Sequence, residues 1–92
     1  MRRYRVSGRS MLPLLKPDDQ VLAACNSSYA IGDIVIARHP YRSDVLWIKK
    51  LTEVDASGRV RLEGLNPEES TDSRTQGHVA QEHIIGRVVC RL

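Results

Sequence analysis

Short apolar runs separated by turn residues predict a chain built mainly of β-strands. Runs rich in β-branched side chains and bounded by Gly, Pro, Asn, Asp or Ser are typical of strands. Such runs occur at residues 20–25, 34–37, 44–54, 59–62 and 84–89. Helix is predicted only as one turn at residues 10–15 and another around residue 81. We therefore predict a mainly β fold, a compact sheet or partly open barrel with minimal helix.

The length of the chain favours one domain spanning residues 1–92. Ninety-two residues are enough for one small hydrophobic core. No apolar run approaches the roughly 18 residues needed to cross a bilayer. The polar N-terminus predicts neither a signal peptide nor a transmembrane anchor. We expect a soluble, cytoplasmic protein, and the sequence leaves its oligomeric state open.

Charge and cysteine content narrow the classes of function. The net charge is +3, with a small basic cluster within residues 2–9, one Trp and three Tyr. A nucleic-acid-binding protein usually has a denser basic patch interleaved with stacking aromatics, so we predict no nucleic-acid partner. Cys25 and Cys90 have no Cys-x-x-Cys spacing, which favours free thiols over a disulfide or a metal site.

The first segment with candidate chemistry covers residues 7–15. Gly8 tolerates backbone angles that place the hydroxyl of Ser10 on a sharp turn. Pro13 can begin a short helix, whose N-terminal amides would favour developing negative charge. Taken alone, however, a Ser in this position is more often a helix cap than a nucleophile.

Two adjacent lysines interrupt the longest apolar strand. In a strand, Lys49 shares a face with Trp47 and Leu51, whereas Lys50 shares the other face with Ile48. Burial lowers the pKa of a lysine, and at a pKa of about 8 roughly one amine in ten is neutral at pH 7. A buried lysine can therefore act as a base, although both side chains could instead extend to solvent. The spacing does not choose between the two lysines.

The third segment, residues 64–77, is rich in hydrogen-bonding side chains. Ser70 can offer a hydroxyl to a neighbouring group, and Asp72 and Arg74 can form an ion pair. A polar surface turn would have the same composition.

The order of these segments resembles the type I signal peptidase family of Ser/Lys proteases. That family has a Gly-x-Ser-Met-x-Pro-Thr-Leu box, a Gly-Asp-hydrophobic strand, a hydrophobic-Lys-Arg strand and a final Gly-Asp-Asn…Ser-x-Asp-Ser-Arg-x-x-Gly segment. This chain has Gly-Arg-Ser-Met-Leu-Pro-Leu-Leu at 8–15, Gly-Asp-Ile-Val-Ile at 32–36 and Ile-Lys-Lys at 48–50. Gly-Leu-Asn follows at 64–66, and Ser-Thr-Asp-Ser-Arg-Thr-Gln-Gly follows at 70–77.

The resemblance implies a signal-peptidase-like fold and a set of roles. By this resemblance Ser10 is the catalytic nucleophile and Lys49 is the general base. Ser70 matches the serine that orients the lysine amine. Asp72 and Arg74 match a supporting acid–base pair. The implied mechanism uses no metal and no cofactor.

Several positions depart from the family pattern or complete it. Met11 matches the Met of the first box and is expected to support the site. Gly8 stands where some relatives carry a Ser that donates a second hydrogen bond to the oxyanion, beside the backbone amide of Ser10. Leu65 replaces an Asp and removes a carboxylate. Asp18 replaces the Gly of a Pro-Gly turn, and we expect a type I turn there.

A further resemblance concerns the substrate. Residues 38–46 look like the corresponding segment of the nickel-type superoxide dismutase maturation proteases, a small branch of the family. This likeness implies removal of a short N-terminal propeptide from a dismutase precursor. The peptide would bind in an extended conformation, as an added strand beside the sheet.

Three other interpretations are considered. One is an anchorless signal peptidase-like protease acting on other precursors, and another is a non-catalytic binding module on the same scaffold. A self-cleaving regulator like the SOS-response repressors uses similar chemistry. It would need a cleavable linker and usually a DNA-binding domain, and we expect neither to fit in 92 residues.

Overall fold

Six strands form one antiparallel sheet in the computed structural model, which describes residues 1–25, 28–42 and 44–92. The sheet is a half-barrel with the strand order β1-β2-β6-β3-β4-β5. The predicted mainly β fold with minimal helix is confirmed. The strands are β1 (Arg2–Arg5), β2 (Gln20–Ala24), β3 (Ile34–Arg38), β4 (Leu46–Val54), β5 (Val60–Glu63) and β6 (Ile84–Arg91). One short helix, α1 (Ser73–Gln76), and two 3-10 turns, Pro67–Glu69 and Gln81–His83, complete the fold. Residue 43, within the segment 38–46 discussed above, lies outside the described residues.

Strand β1 is the one strand of the described sheet that the pattern did not predict. Its sequence, Arg-Arg-Tyr-Arg, lacks an apolar alternation. It forms because its backbone pairs with β2, with Arg2 opposite Ala23 and Arg5 opposite Gln20. At the edge of the sheet the arginine side chains remain exposed to water, and charge on an edge strand discourages pairing with other chains.

The single helical turn predicted at residues 10–15 is present, and it does not extend into a longer helix. The chain makes a single turn there, in which the N–H of Leu15 donates to the carbonyl of Met11 (3.0 Å). A helix that stops after one hydrogen bond gains too little to offset the cost of its nucleus. Residues 10–15 therefore do not supply the helix N-terminus that was expected beside Ser10.

The turn that follows also differs from the expectation. Asp19 N–H donates to the carbonyl of Lys16 (3.0 Å), and Asp18 has a φ of 72°. A positive φ at the third residue of a turn is the requirement of type II and not of type I. Asp18 therefore keeps the left-handed conformation that a Gly would adopt more easily.

The two faces of β3 contact two different hydrophobic clusters. Val35 and Ala37 belong to one cluster and Ile36 belongs to the other, as the alternation of a strand requires. The β4–β5 core consists of Val35, Ala37, Trp47, Leu51, Val60, Leu62 and Val79. The β2 core consists of Val6, Met11, Leu15, Val21, Ala23 and Ile36.

Candidate active site

Lys49 is buried in β4, and its amine has a specific partner. The residue is 4% exposed, and its Nζ donates a hydrogen bond to Ser70 Oγ (3.1 Å). The amine also lies 5.6 Å from the centroid of the Trp47 ring. Lys50 lies on the other face of the strand, opposite Glu63 on β5. Burial thus distinguishes the two lysines, which their spacing in the sequence could not do.

The environment of Lys49 increases the fraction of its amine that is neutral, compared with a lysine in water. Burial lowers the pKa of Lys49 to about 8; the negative charge of Asp72 opposes this shift, and the positive charge of Arg74 adds to it. At this pKa roughly one amine in ten is neutral at pH 7, compared with about one in 2,500 for a lysine in water.

The carboxylate of Asp72 determines which groups donate and which accept in the hydrogen bonds around the Lys49 amine. Ser70 Oγ donates to Asp72 Oδ2 (2.5 Å), and Arg74 Nη2 donates to the same oxygen (2.6 Å). Burial raises the pKa of Asp72, but hydrogen bonds from Arg74, Ser70 and the Gly64 amide lower it more and hold it well below its usual range. Because Asp72 accepts the hydroxyl proton of Ser70, the Ser70 oxygen acts as an acceptor toward Lys49. The lone pair of a neutral Lys49 amine then remains available for another proton.

Ser10 lies on a turn that contacts the segment carrying Ser70. Its carbonyl accepts a hydrogen bond from the N–H of Asn66 (2.8 Å). Gly64 makes this contact possible, because a Cβ at that position would lie 2.7 Å from the Ser10 carbonyl oxygen and would overlap the Ser70 side chain. Asn66 had no predicted role, although it stands in the Gly-Leu-Asn motif.

A cleft brings the two principal candidates together. Ser10 and Lys49 both line a cleft with a volume of about 520 Å³. One wall comes from the end of β1 and the Ser10 turn, and the other comes from the start of β4. Because Met11 belongs to the β2 core and Trp47 belongs to the β4–β5 core, the cleft lies where the two cores meet.

The remaining predicted positions have structural explanations. Gly8 has a φ of +74°, and no atom lies within 4 Å of where its Cβ would be, so the backbone angle and not the available space favours glycine. Met11 is 1% exposed in the β2 core. Leu65, where the family has Asp, is partly buried against the same core. Its apolar side chain therefore packs against the core at a position where the family has a carboxylate.

The two thiols and His78 lie apart from the residues that line this cleft. Cys25 and Cys90 are both free cysteines. His78 contacts Glu53, with Nε2 and Oε2 3.5 Å apart. Within residues 1–25, 28–42 and 44–92, no group of three or more His, Cys, Asp or Glu residues has the arrangement of a metal site.

Comparison with known proteins assigns a family. The family model described as Peptidase S24-like matches residues 3–89. The chain belongs to the Peptidase S24-like family. This membership supports a serine peptidase function and implies a protein substrate. No curated protein matches the chain. Among the described helices of this S24-like domain, none is long and apolar enough to span a membrane.

Proposed function

We propose that the protein is a serine endopeptidase in which Ser10 is the nucleophile and Lys49 is the general base. The observation that carries the proposal is a buried lysine amine, oriented by Ser70, in the same cleft as a turn-borne serine. The Peptidase S24-like family membership agrees with this assignment. A binding module would have no need for a buried amine, and burying one costs stability.

The proposed reaction proceeds through an acyl-enzyme. The neutral amine of Lys49 takes the hydroxyl proton of Ser10 while Ser10 Oγ bonds to the carbonyl carbon of the scissile peptide. The tetrahedral intermediate collapses, the peptide C–N bond breaks, and the Lys49 ammonium gives its proton to the leaving amine. Lys49, neutral again, then takes a proton from a water molecule as the water oxygen bonds to the ester carbonyl carbon. The bond between that carbon and Ser10 Oγ breaks, the Lys49 ammonium returns the proton to Ser10 Oγ, and the carboxylic acid product leaves.

The backbone of the Ser10 turn supports the oxyanion in this mechanism. Among the described residues, the N–H of Ser10 has no hydrogen-bond acceptor in the protein, so it can donate to a developing oxyanion. Such a donor is typically worth a few kcal/mol in the transition state. Gly8 has no side-chain donor to add, so the Ser10 amide is the principal candidate at this turn.

The sheet offers a place for an extended substrate. β5 pairs with β4 from Lys50 to Val54, and β4 itself begins at Leu46. The stretch 46–49 therefore continues past the end of β5, along the cleft. A peptide added beside this stretch would gain main-chain hydrogen bonds and present its scissile bond near Lys49.

For the substrate we propose a nickel-type superoxide dismutase precursor with a short N-terminal extension. The support is the likeness of residues 38–46 to the maturation proteases of that dismutase. Three described residues of this segment, Asp44, Val45 and Leu46, line the cleft, where they could contact a bound peptide.

Incubating the purified chain with such a precursor, followed by mass spectrometry, tests the proposal. Ser10→Ala and Lys49→Ala should each lower the cleavage rate by at least about 10³-fold, because neither partner of a catalytic pair works alone. Ser57→Ala, in the exposed turn after β4, and Lys50→Met are matched controls that should retain activity. Native-rate cleavage by Ser10→Ala would refute the assignment.

A serine-directed acylating inhibitor separates the chemistry from the choice of substrate. Covalent labelling of Ser10 without precursor cleavage would support the peptidase assignment and rule out the dismutase precursor as the substrate. Binding of the precursor with neither cleavage nor labelling would instead support the non-catalytic binding module.

A further inference from the structure

Asn66 connects the turn that carries Ser10 to the segment that carries Ser70. Its backbone N–H donates to the Ser10 carbonyl (2.8 Å), and its side-chain Nδ2 donates to the Arg9 carbonyl (3.1 Å). Its own carbonyl accepts a hydrogen bond from the N–H of Glu69 (3.1 Å). Asn66 thus binds the backbone carbonyls of Arg9 and Ser10 and the backbone N–H of Glu69, the residue before Ser70.

Side chains add a second connection between the same two segments. Arg9 Nε lies 3.4 Å from Glu69 Oε2, and Asn66 Nδ2 donates to the same Glu69 oxygen (3.4 Å). The Arg9 and Glu69 side chains are 64% and 48% exposed, so salt screens this ion pair and its contribution is small. The amide of Asn66 is therefore the stronger of the two side-chain connections.

We propose that Asn66 is a positioning residue whose side chain holds the Ser10 turn at the correct distance from Lys49. The inference rests on the proposed peptidase function. The Lys49 amine is held by its hydrogen bond to Ser70 Oγ. Ser70 follows Asn66 by four residues in the same segment, so Asn66 connects the two partners of the proposed catalytic pair. A shift of the turn would change the separation of nucleophile and base directly, and misplacement by about 1 Å can cost about 10²-fold in rate.

The side-chain part of this connection can be removed without removing the backbone part. Asn66→Asp keeps the shape and the backbone N–H but cannot donate to the Arg9 carbonyl at neutral pH. Asn66→Ala removes the side-chain donor altogether. Glu68→Gln, at an exposed neighbouring position, is the control for changes of charge in this turn.

Kinetics should be measured per active site titrated with the acylating inhibitor, so that misfolded protein does not count. We expect kcat of Asn66→Asp and Asn66→Ala to fall by about tenfold or more, with KM within about twofold. The pH at which kcat/KM reaches half its maximum should not move, because the contacts of Lys49 are intact. Wild-type kcat per titrated site in both variants would overturn the proposal while leaving the peptidase assignment in place.

A double variant separates lost donation from added charge. Asn66→Asp introduces a carboxylate beside Glu69, and Glu69→Gln removes the resulting repulsion. If the loss arises from the missing hydrogen bond to Arg9, the double variant stays as slow as Asn66→Asp. Full recovery in the double variant would contradict the positioning role.

Amide hydrogen exchange tests the same proposal without catalysis. In Asn66→Asp, the amides of Leu12 and Leu15, which donate to the carbonyls of Arg9 and Met11, should exchange at least about threefold faster than in wild type, while those of β3 stay unchanged. Unchanged exchange at Leu12 and Leu15 would overturn the proposal. If the wild type shows no labelling of Ser10, the peptidase assignment fails, and the exchange result still decides whether Asn66 fixes the turn.

Discussion

Lys49 combines a cost in stability with a chemical benefit. Water favours the protonated amine of a lysine, and the fold removes most of that water by burying the residue to 4% exposure. A change in pKa from about 10.4 to about 8 corresponds to roughly 3 kcal/mol of preference against the charged form. The hydroxyl of Ser70 replaces only one of the hydrogen-bond partners that the amine loses.

The first prediction concerns the pH dependence of catalysis. Because the base must be neutral and its pKa is about 8, kcat/KM should rise tenfold per pH unit below about pH 8 and level off above it. Steady-state assays from pH 6 to pH 10 measure this profile. Lys50→Met should give the same profile, and a midpoint near pH 10 would show that Lys49 is not the base.

The second prediction concerns stability. The folded-state pKa of Lys49 lies below its unfolded value. Between about pH 8 and pH 10.4 the unfolded chain therefore binds more protons than the folded chain, and the free energy of unfolding of the wild type rises with pH in that window. Lys49→Met should be more stable than wild type at pH 7 by roughly 1–2 kcal/mol, after loss of about 1 kcal/mol from the Ser70 hydrogen bond. This advantage should shrink as the pH rises through the window. Urea unfolding at pH 7 and pH 9.5 measures it, and an advantage that is constant with pH would contradict the mechanism.

At this scale the sequence predicted types of residue better than contacts. The alternation of β4 indicated that one lysine would face apolar neighbours, but only burial identifies Lys49. The contact between Lys49 and Ser70 joins distant segments, and only family resemblance suggested it. Asn66 matches the Asn of the family's Gly-Asp-Asn motif, but its role was not predicted, because most of its partners are backbone groups, which a sequence pattern does not reveal.

Among the elements, apolar strands were predictable and polar elements were not. β3 and β6 have β-branched runs, and their predicted and observed starts coincide. β1 has no such run, and α1 begins where Asp72 accepts a hydrogen bond from the N–H of Arg74 (2.9 Å). Both polar elements depend on partners elsewhere or on a single cap, which composition describes poorly.

The third prediction belongs to the turn before β2. Asp18 has a φ of 72°, a conformation that costs a residue with a Cβ about 1 kcal/mol and costs glycine little. Asp18→Gly should therefore raise the free energy of unfolding by about 0.5 kcal/mol after the greater entropy of glycine in the unfolded chain is subtracted. Thermal unfolding compares it with Ala56→Gly, an exposed turn position where φ is not positive. That control should lose stability, and a loss in Asp18→Gly as well would contradict the argument.

On the scale of the whole molecule, the last strand completes the sheet. β6 pairs with β2 on one side and with β3 on the other, so the two halves of the sheet join only when the end of the chain is in place. Local patterns predicted strands β2 to β6, but they do not encode the position of β6 between β2 and β3, because that pairing depends on contacts between residues far apart in sequence.

The fourth prediction follows from the order of the strands in the sheet, in which β3 and β6 are central and β1 is at an edge. Backbone amides of β3 and β6, in the middle of the sheet, should exchange with solvent only by global unfolding, whereas those of β1 should exchange by local opening at its free edge. Hydrogen exchange followed by NMR at several urea concentrations measures the difference. Equal protection of β1 and β3 would show that the edge strand does not open independently.

Gly64 limits which residues the contact between the Ser10 turn and the Ser70 segment can accommodate. A side chain at this position would overlap Ser70 and crowd the Ser10 carbonyl oxygen, so the contact leaves no room for a larger residue. The mouth of the cleft is less constrained, because Asp44 and Leu46 are exposed to solvent there. Changing these two side chains could therefore alter which peptide the cleft accepts while the buried contact stays intact.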